Sequence, residues 1–206
     1  MRQKYPQGYT PTPINTPFDE QLQRIKEKLI AARNADVNCD VFAAFEHEYL
    51  LNVPATEEEV FAYERKHSIQ LPECFRSFLL VVGNGGISIG NSGAGPGYGI
   101  YPLGYEVEVD EKNILANKCL LEPDMTKDQW ESLYRSYGRS AFGGVLPIGT
   151  QGCTFAHAIV LNGPYRGRVV NLDYNYIFPP FFAPNVTNFL EYYEQWLDGV
   201  IDGTID

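Results

Sequence analysis

The sequence predicts an α+β domain: N-terminal helices packed on a mixed, largely antiparallel C-terminal sheet, closed by a C-terminal helix. Three observations carry that expectation. Apolar residues recur at helical spacing up to Val82, runs with strand character gather between Gly144 and Asp173, and a last helical stripe follows Thr187. With 206 residues the chain has room for one generous domain and a buried core, so we expect a single unit over 16–206 preceded by an arm.

Residues 1–15 are rich in Pro and Thr and show no period, which predicts an extended N-terminal arm. Order should begin at Thr16, a capping residue followed by Pro17 and Asp19, with Leu22, Ile25, Leu29 and Ile30 forming one apolar helical face to about Arg33. Phe42, Phe45 and Tyr49 at i, i+3 and i+7 predict a second, short helix over Val41 to Tyr49. Thr56 and Glu59 have the spacing of a capping box, in which each side chain satisfies a backbone donor at the start of a helix. Pro72 then suits a first helical turn, and Phe75, Phe78, Leu79 and Val82 make one stripe. Gly83 is expected as a left-handed cap, and Asn84-Gly85-Gly86 as a sharp turn.

Beyond the turn, strands are expected over Tyr98 to Leu103, Gly144 to Ile148 and Thr154 to Leu161. Asn162-Gly163-Pro164-Tyr165-Arg166-Gly167 is turn chemistry and predicts an antiparallel hairpin between Thr154 to Leu161 and Arg168 to Asp173. Trp130, Leu133, Tyr134 and Tyr137 mark a helix between the early and late strands. Thr187 is the expected cap of the closing helix, whose face carries Phe189, Leu190, Tyr193, Trp196, Leu197 and Val200.

Composition narrows the function. A formal charge of -10 repels nucleic acid and anionic lipid, so neither is expected as the main partner, and a basic protein suits the chain better. No apolar run approaches the ~20 residues of a membrane span and no signal region follows Met1, so a cytoplasmic location is expected. Cys39, Cys74, Cys119 and Cys153 form no C-x-x-C pair and are expected as reduced, mostly buried thiols, with no metal site and no cofactor.

Each motif that would carry catalysis lacks its context. Gly86-Ile87-Ser88-Ile89-Gly90 fits G-x-S-x-G, but a helix precedes it and a Gly-rich loop follows, the reverse of a nucleophile elbow. His157 is the base downstream, and it falls in an expected strand as a hydrogen-bonded residue. Gly90 to Gly99 never satisfies G-x-G-x-x-G, and His47-Glu48 has Leu51 where a zincin needs its second His. His67 sits at a helix end, where a cation is favoured by the dipole, with no catalytic role.

A different constellation points to binding. Glu106, Glu108, Asp110 and Glu111, with Asp173, are interleaved with Tyr98, Tyr101, Tyr105, Tyr174 and Tyr176. Tyr supplies contact area while carboxylates steer and pair Arg or Lys, so these ten residues are the expected docking patch for a basic partner.

Asn52 to Gly86, with Thr56-Glu57-Glu58-Glu59, Tyr63-Glu64, Ile69-Gln70-Leu71-Pro72-Glu73 and Gly83-Asn84-Gly85-Gly86, closely resembles the SUKH superfamily, the cell-wall assembly regulator type. Ala94 to Leu103, Leu146-Pro147-Ile148-Gly149, the Gly163 to Val169 turn and Asn188-Phe189-Leu190 to Trp196-Leu197 resemble later blocks of bacterial members, in the right order over roughly residues 40 to 200. Ile87 to Gly93 looks like an insertion. The resemblance implies an α+β fold with a mixed sheet and no catalytic residues. For many bacterial members it implies an immunity protein that binds and blocks a toxin, often a nuclease. A housekeeping regulatory scaffold is the alternative, and a serine hydrolase using Ser88 and His157 is a third reading.

Overall fold

In a computed structural model describing residues 16–86, 91–105 and 114–205, the chain begins with helix α1 (Asp19–Ala35). The expected arm over 1–15 lies outside the described residues. Thr16 organises the entry: its hydroxyl accepts from Phe18 N at 3.0 Å while its own N–H donates to Asp19 at 3.0 Å. Leu22, Ile25 and Ala32 are buried, but Ile30 is 66% exposed and leaves the expected stripe.

The helix expected over Val41 to Tyr49 shrinks to one turn, α2 (Ala44–His47), bounded by left-handed Ala43 and Glu48. Buried Asp36 explains the difference. Its carboxylate accepts from Asp40 N at 2.7 Å, Val41 N at 3.2 Å and the Tyr49 hydroxyl at 2.6 Å, which ties the preceding residues into a turn. Phe42 and Phe45 consequently face solvent while Tyr49 is buried.

Helix α3 (Glu57–His67) starts in the expected capping box, with both the Thr56 and Glu59 bonds formed. Helix α4 (Glu73–Val81) follows Pro72 directly and buries Phe75, Phe78 and Leu79. It ends at Val82 in ordinary right-handed geometry, so Gly83 is not the left-handed cap; the positive φ falls at Gly85. Gly83 is a matter of space, because a Cβ there would lie 2.7 Å from that of Leu51.

Four strands, β1 (Val145–Gly152), β2 (Phe155–Val160), β3 (Val169–Asp173) and β4 (Phe181–Phe182), form a sheet in that order, antiparallel throughout. The α+β class and the β2–β3 hairpin stand as expected, while no parallel pair occurs among the described strands. Alternation along the strands separates two cores. Leu146, Ile148, Ile159 and Val169 meet Phe75, Phe78 and the closing helix, whereas Val145, Ala158, Val170 and Phe182 meet Trp130 and Phe142. Trp130 belongs to α5 (Lys127–Tyr137), which has a second capping box in Thr126 and Gln129. The closing helix α6 (Phe189–Asp202) is capped by Asn188, not Thr187; the Thr187 hydroxyl instead donates to Glu191 at 2.8 Å.

Tyr98 to Leu103 is not a strand. Only Ile100 is bridged, to Gly93 on one side and Gly149 on the other. The backbones approach so closely that a Cβ on Gly93 would overlap the carbonyl of Gly85, one on Gly99 that of Gly93, and one on Gly149 that of Gly99. This relay of bare Cα atoms against carbonyls fastens the Asn-Gly-Gly turn to the edge of β1.

Helix α1 is locked to α6 by charge. Glu194 accepts from Gln21 and Arg24 at 3.0 Å each and pairs with Lys28 at 3.0 Å. Burial pushes its carboxyl up, but the bonds from Arg24, Lys28 and Gln21 outweigh this and hold it at about 2. Glu194→Ala strands those donors, with Arg24 half exposed and therefore partly resolvated. We expect a loss of about 2 kcal/mol in urea unfolding. A change within about 0.5 kcal/mol would contradict the lock.

Candidate protein-binding faces

The structure divides the expected docking patch. Asp173 and Tyr174 are consecutive at the end of β3 and point to opposite sides of the sheet. Asp173 is buried and its carboxylate is spent internally: it accepts from Thr154 Oγ1 at 2.8 Å and from the N–H groups of Asn175, Ile177 and Phe178 at 2.9, 3.1 and 3.2 Å. Burial raises its pKa, yet these bonds hold it below the usual carboxylate range. Asp173 therefore shapes the turn after β3 and is withdrawn from the patch as a contact for basic side chains.

Four of the tyrosines do converge on the α5 side of the sheet. Tyr101 packs on Tyr105 at 4.6 Å, and Tyr176 stacks on Tyr134 at 4.0 Å and on Phe142 at 5.5 Å. Tyr174 meets Phe142 at 5.8 Å. Its hydroxyl is buried with no partner among the described residues, and burial followed by the neighbouring Tyr101 and Tyr176 hydroxyls raises its pKa. Tyr105 is the exposed member, and the chain leaves it directly into the acidic run. Glu106, Glu108, Asp110 and Glu111 themselves lie outside the described residues. Tyr134 is a member that sequence reading missed, although its helical register with Trp130 was visible.

Tyr98 lies on the other side of the sheet. Its ring covers Gly152 and meets Phe42 edge-on at 5.3 Å. Beyond Gly152, Phe155 approaches Phe178 at 6.1 Å, and Ile177 and Phe181 are also exposed. The sequence gives no periodic signal for this rim, because its members come from the turn before α2, a loop, two strands and the turn after β3. Its charge is legible, however: 34–64, 77–111, 140–165 and 169–206 contain neither Lys nor Arg.

The two buried histidines serve structure. Buried His47 accepts from Tyr49 N at Nδ1, 3.0 Å, and its ring also bonds the Gly95 carbonyl. Buried His157 meets the Pro96 carbonyl at Nε2, 3.2 Å; a carbonyl only accepts, so Nε2 carries the proton. Nδ1 then accepts from Tyr192 at 2.9 Å and Gln151 at 3.1 Å. Burial drives both histidines down to about 4, against the Gly95 carbonyl and the Asp36 charge at His47 and the Pro96 carbonyl at His157, so both are neutral. Together they hold two consecutive carbonyls of the loop before Tyr98. With both its nitrogens engaged, His157 offers no base to a serine; Ser88 lies outside the described residues.

All four cysteines are free; Cys74 and Cys119 are buried, whereas Cys153 is exposed at the β1–β2 turn. Among the described residues no group of His, Cys, Asp and Glu is placed to hold a metal ion, and no helix is long and apolar enough to cross a membrane.

The model of the SMI1 / KNR4 family (SUKH-1) matches residues 54–192, well over half of the chain, from the residues before the Thr56 capping box into α6. The chain belongs to the SMI1/KNR4 (SUKH-1) family. The matched region holds both capping boxes, the glycine relay and the whole sheet of this SUKH-1 protein, while α1 precedes it. No individual curated protein matches the chain.

Proposed function

We propose that this SUKH-1 protein is an immunity-type binder that neutralises a basic toxin domain of a polymorphic toxin system. Family membership supports a protein-binding role. The observation that carries the finer reading is the tyrosine face: Tyr101, Tyr105, Tyr174 and Tyr176 meet on one side of the sheet, and in the sequence Glu106, Glu108, Asp110 and Glu111 follow Tyr105. A nuclease cleft must be cationic to hold a phosphate backbone, and a carboxylate-rich segment beside tyrosines complements that charge. The protein occupies the cleft and catalyses nothing.

Co-expression with the toxin domain of a neighbouring gene tests this. The intact chain should restore growth and form a complex with that domain whose affinity falls with salt. Tyr105→Ala combined with Glu106→Lys and Glu108→Lys should weaken the complex at least about tenfold while leaving the unfolding midpoint nearly unchanged. Toxin killing that continues despite expression of the intact chain would refute the immunity role. A growth defect on deletion in cells lacking the toxin would instead favour the regulatory scaffold.

A further inference from the structure

The rim on the α6 side of the sheet is continuous and rigidly displayed. Phe42 meets Tyr98, whose ring lies where a Gly152 side chain would be, 2.7 Å from a Cβ at that site. Gly152 pairs with Phe155 across the hairpin, so Phe155 projects beside Tyr98. Phe155 continues to Phe178, and β4 presents Phe181 on the same side, paired with Asn171. Phe42, Ile177, Phe178 and Phe181 are each more than half exposed. The buried Asp173 carboxylate pins the N–H groups of Ile177 and Phe178, which holds these side chains outward instead of letting them fold onto the sheet.

The charge around this rim is one-sided. Its segments supply no cation, and Glu46 and Glu48 follow Phe42 in the chain. Arg33 pairs with Glu48 at 3.8 Å, and Arg168 lies over Phe182 on the opposite face, 5.1 Å from the ring centre. Exposed aromatic faces on segments that carry no lysine or arginine, in a chain of net charge -10, suit a guanidinium, which stacks on the rings and gains from the negative balance. The apolar remainder of the rim matches apolar neighbours of that arginine.

We infer that the rim of Phe42, Tyr98, Phe155, Ile177, Phe178 and Phe181 is a second docking surface, which takes an arginine-bearing apolar segment of a protein partner. It lies across the sheet from the tyrosine face and does not depend on the toxin reading. Acidic segments are repelled there, and lysine fits less well than arginine because its ammonium lacks a planar face.

Backbone amide NMR of the full chain, titrated with a peptide of alternating arginine and leucine, tests the inference. Shifts should concentrate at the rim residues. A glutamate–leucine peptide should leave them unmoved, and an arginine–alanine peptide should bind more weakly. Phe155→Ser with Phe178→Ser should lower affinity at least about tenfold with the amide spectrum otherwise preserved, while Tyr101→Ala with Tyr105→Ala should leave it unchanged. Shifts centred elsewhere, or equal binding of the glutamate peptide, would overturn the inference. So would a dimer in sedimentation that the double Phe variant dissolves, since the rim would then be a self-association face.

Discussion

Gly99→Ala should cost about 4 kcal/mol of stability. Two costs add at this position. The backbone φ of +95° is one that side-chain-bearing residues rarely adopt, which costs about 1–3 kcal/mol. The new Cβ would also overlap the Gly93 carbonyl, which cannot swing aside because it accepts from Ile100 N at 2.8 Å. Relief would require moving the turn away from β1, an overpacking cost of about 1–3 kcal/mol. Gly203→Ala is the matched control. Gly203 has φ +64° and ψ +33° at the end of α6, with nothing near its Cβ position, so the change should cost only about 1–2 kcal/mol. Urea unfolding of both variants with unchanged slope measures the difference, and equal losses would show that the close approach carries no weight.

Stability should fall steeply as pH drops from about 6.5 to about 4. His47 and His157 both titrate near 4 when folded, against about 6.5 when unfolded, because burial disfavours the imidazolium. In that window the unfolded chain binds protons that the folded chain refuses, so stability rises with pH. It is complete above the unfolded value and is lost as pH falls toward the folded one. Each histidine contributes roughly 3 kcal/mol over the window, making this about 6 kcal/mol for the pair. The depressed carboxyls of Glu194, Asp36 and Asp173 act in the same direction at lower pH, below their unfolded values near 4. Unfolding free energies at pH 7, 6.5, 6 and 5.5 would therefore isolate the histidines. His157→Gln should halve the slope, and a flat profile in the unsubstituted chain would rule out the neutral, loop-holding role.

Local signals read well from the sequence where they act over a few residues. The Thr56–Glu59 box, the helix after Pro72 and the hairpin around Asn162 to Gly167 each depend on neighbours in the chain and appear as expected. The Thr126–Gln129 box carried the same signal and went unread. Tertiary partners decided the failures. Three aromatics at helical spacing were too few to impose a helix against Asp36, which captures the backbone ahead of α2. The Tyr98 segment has strand composition, yet its glycines serve close approach and it gains only a bridge. As for the docking patch, strand alternation alone separates Asp173 from Tyr174, a signal present in the sequence. The aromatic rim was not legible, because contiguity across Phe42, Tyr98, Phe155 and Phe178 exists only after folding.

The glycine relay also bears on how this protein can diversify. Gly86 and Asn91 touch so closely that a Cβ on Gly86 would overlap the Asn91 carbonyl carbon, so the two ends of 87–90 are held together by the frame itself. A segment whose ends are already joined adds little closure entropy when its length changes, since that cost grows only logarithmically. A change in the length of the connection between Gly86 and Asn91 therefore adds little closure entropy, while the frame on either side of it stays constant.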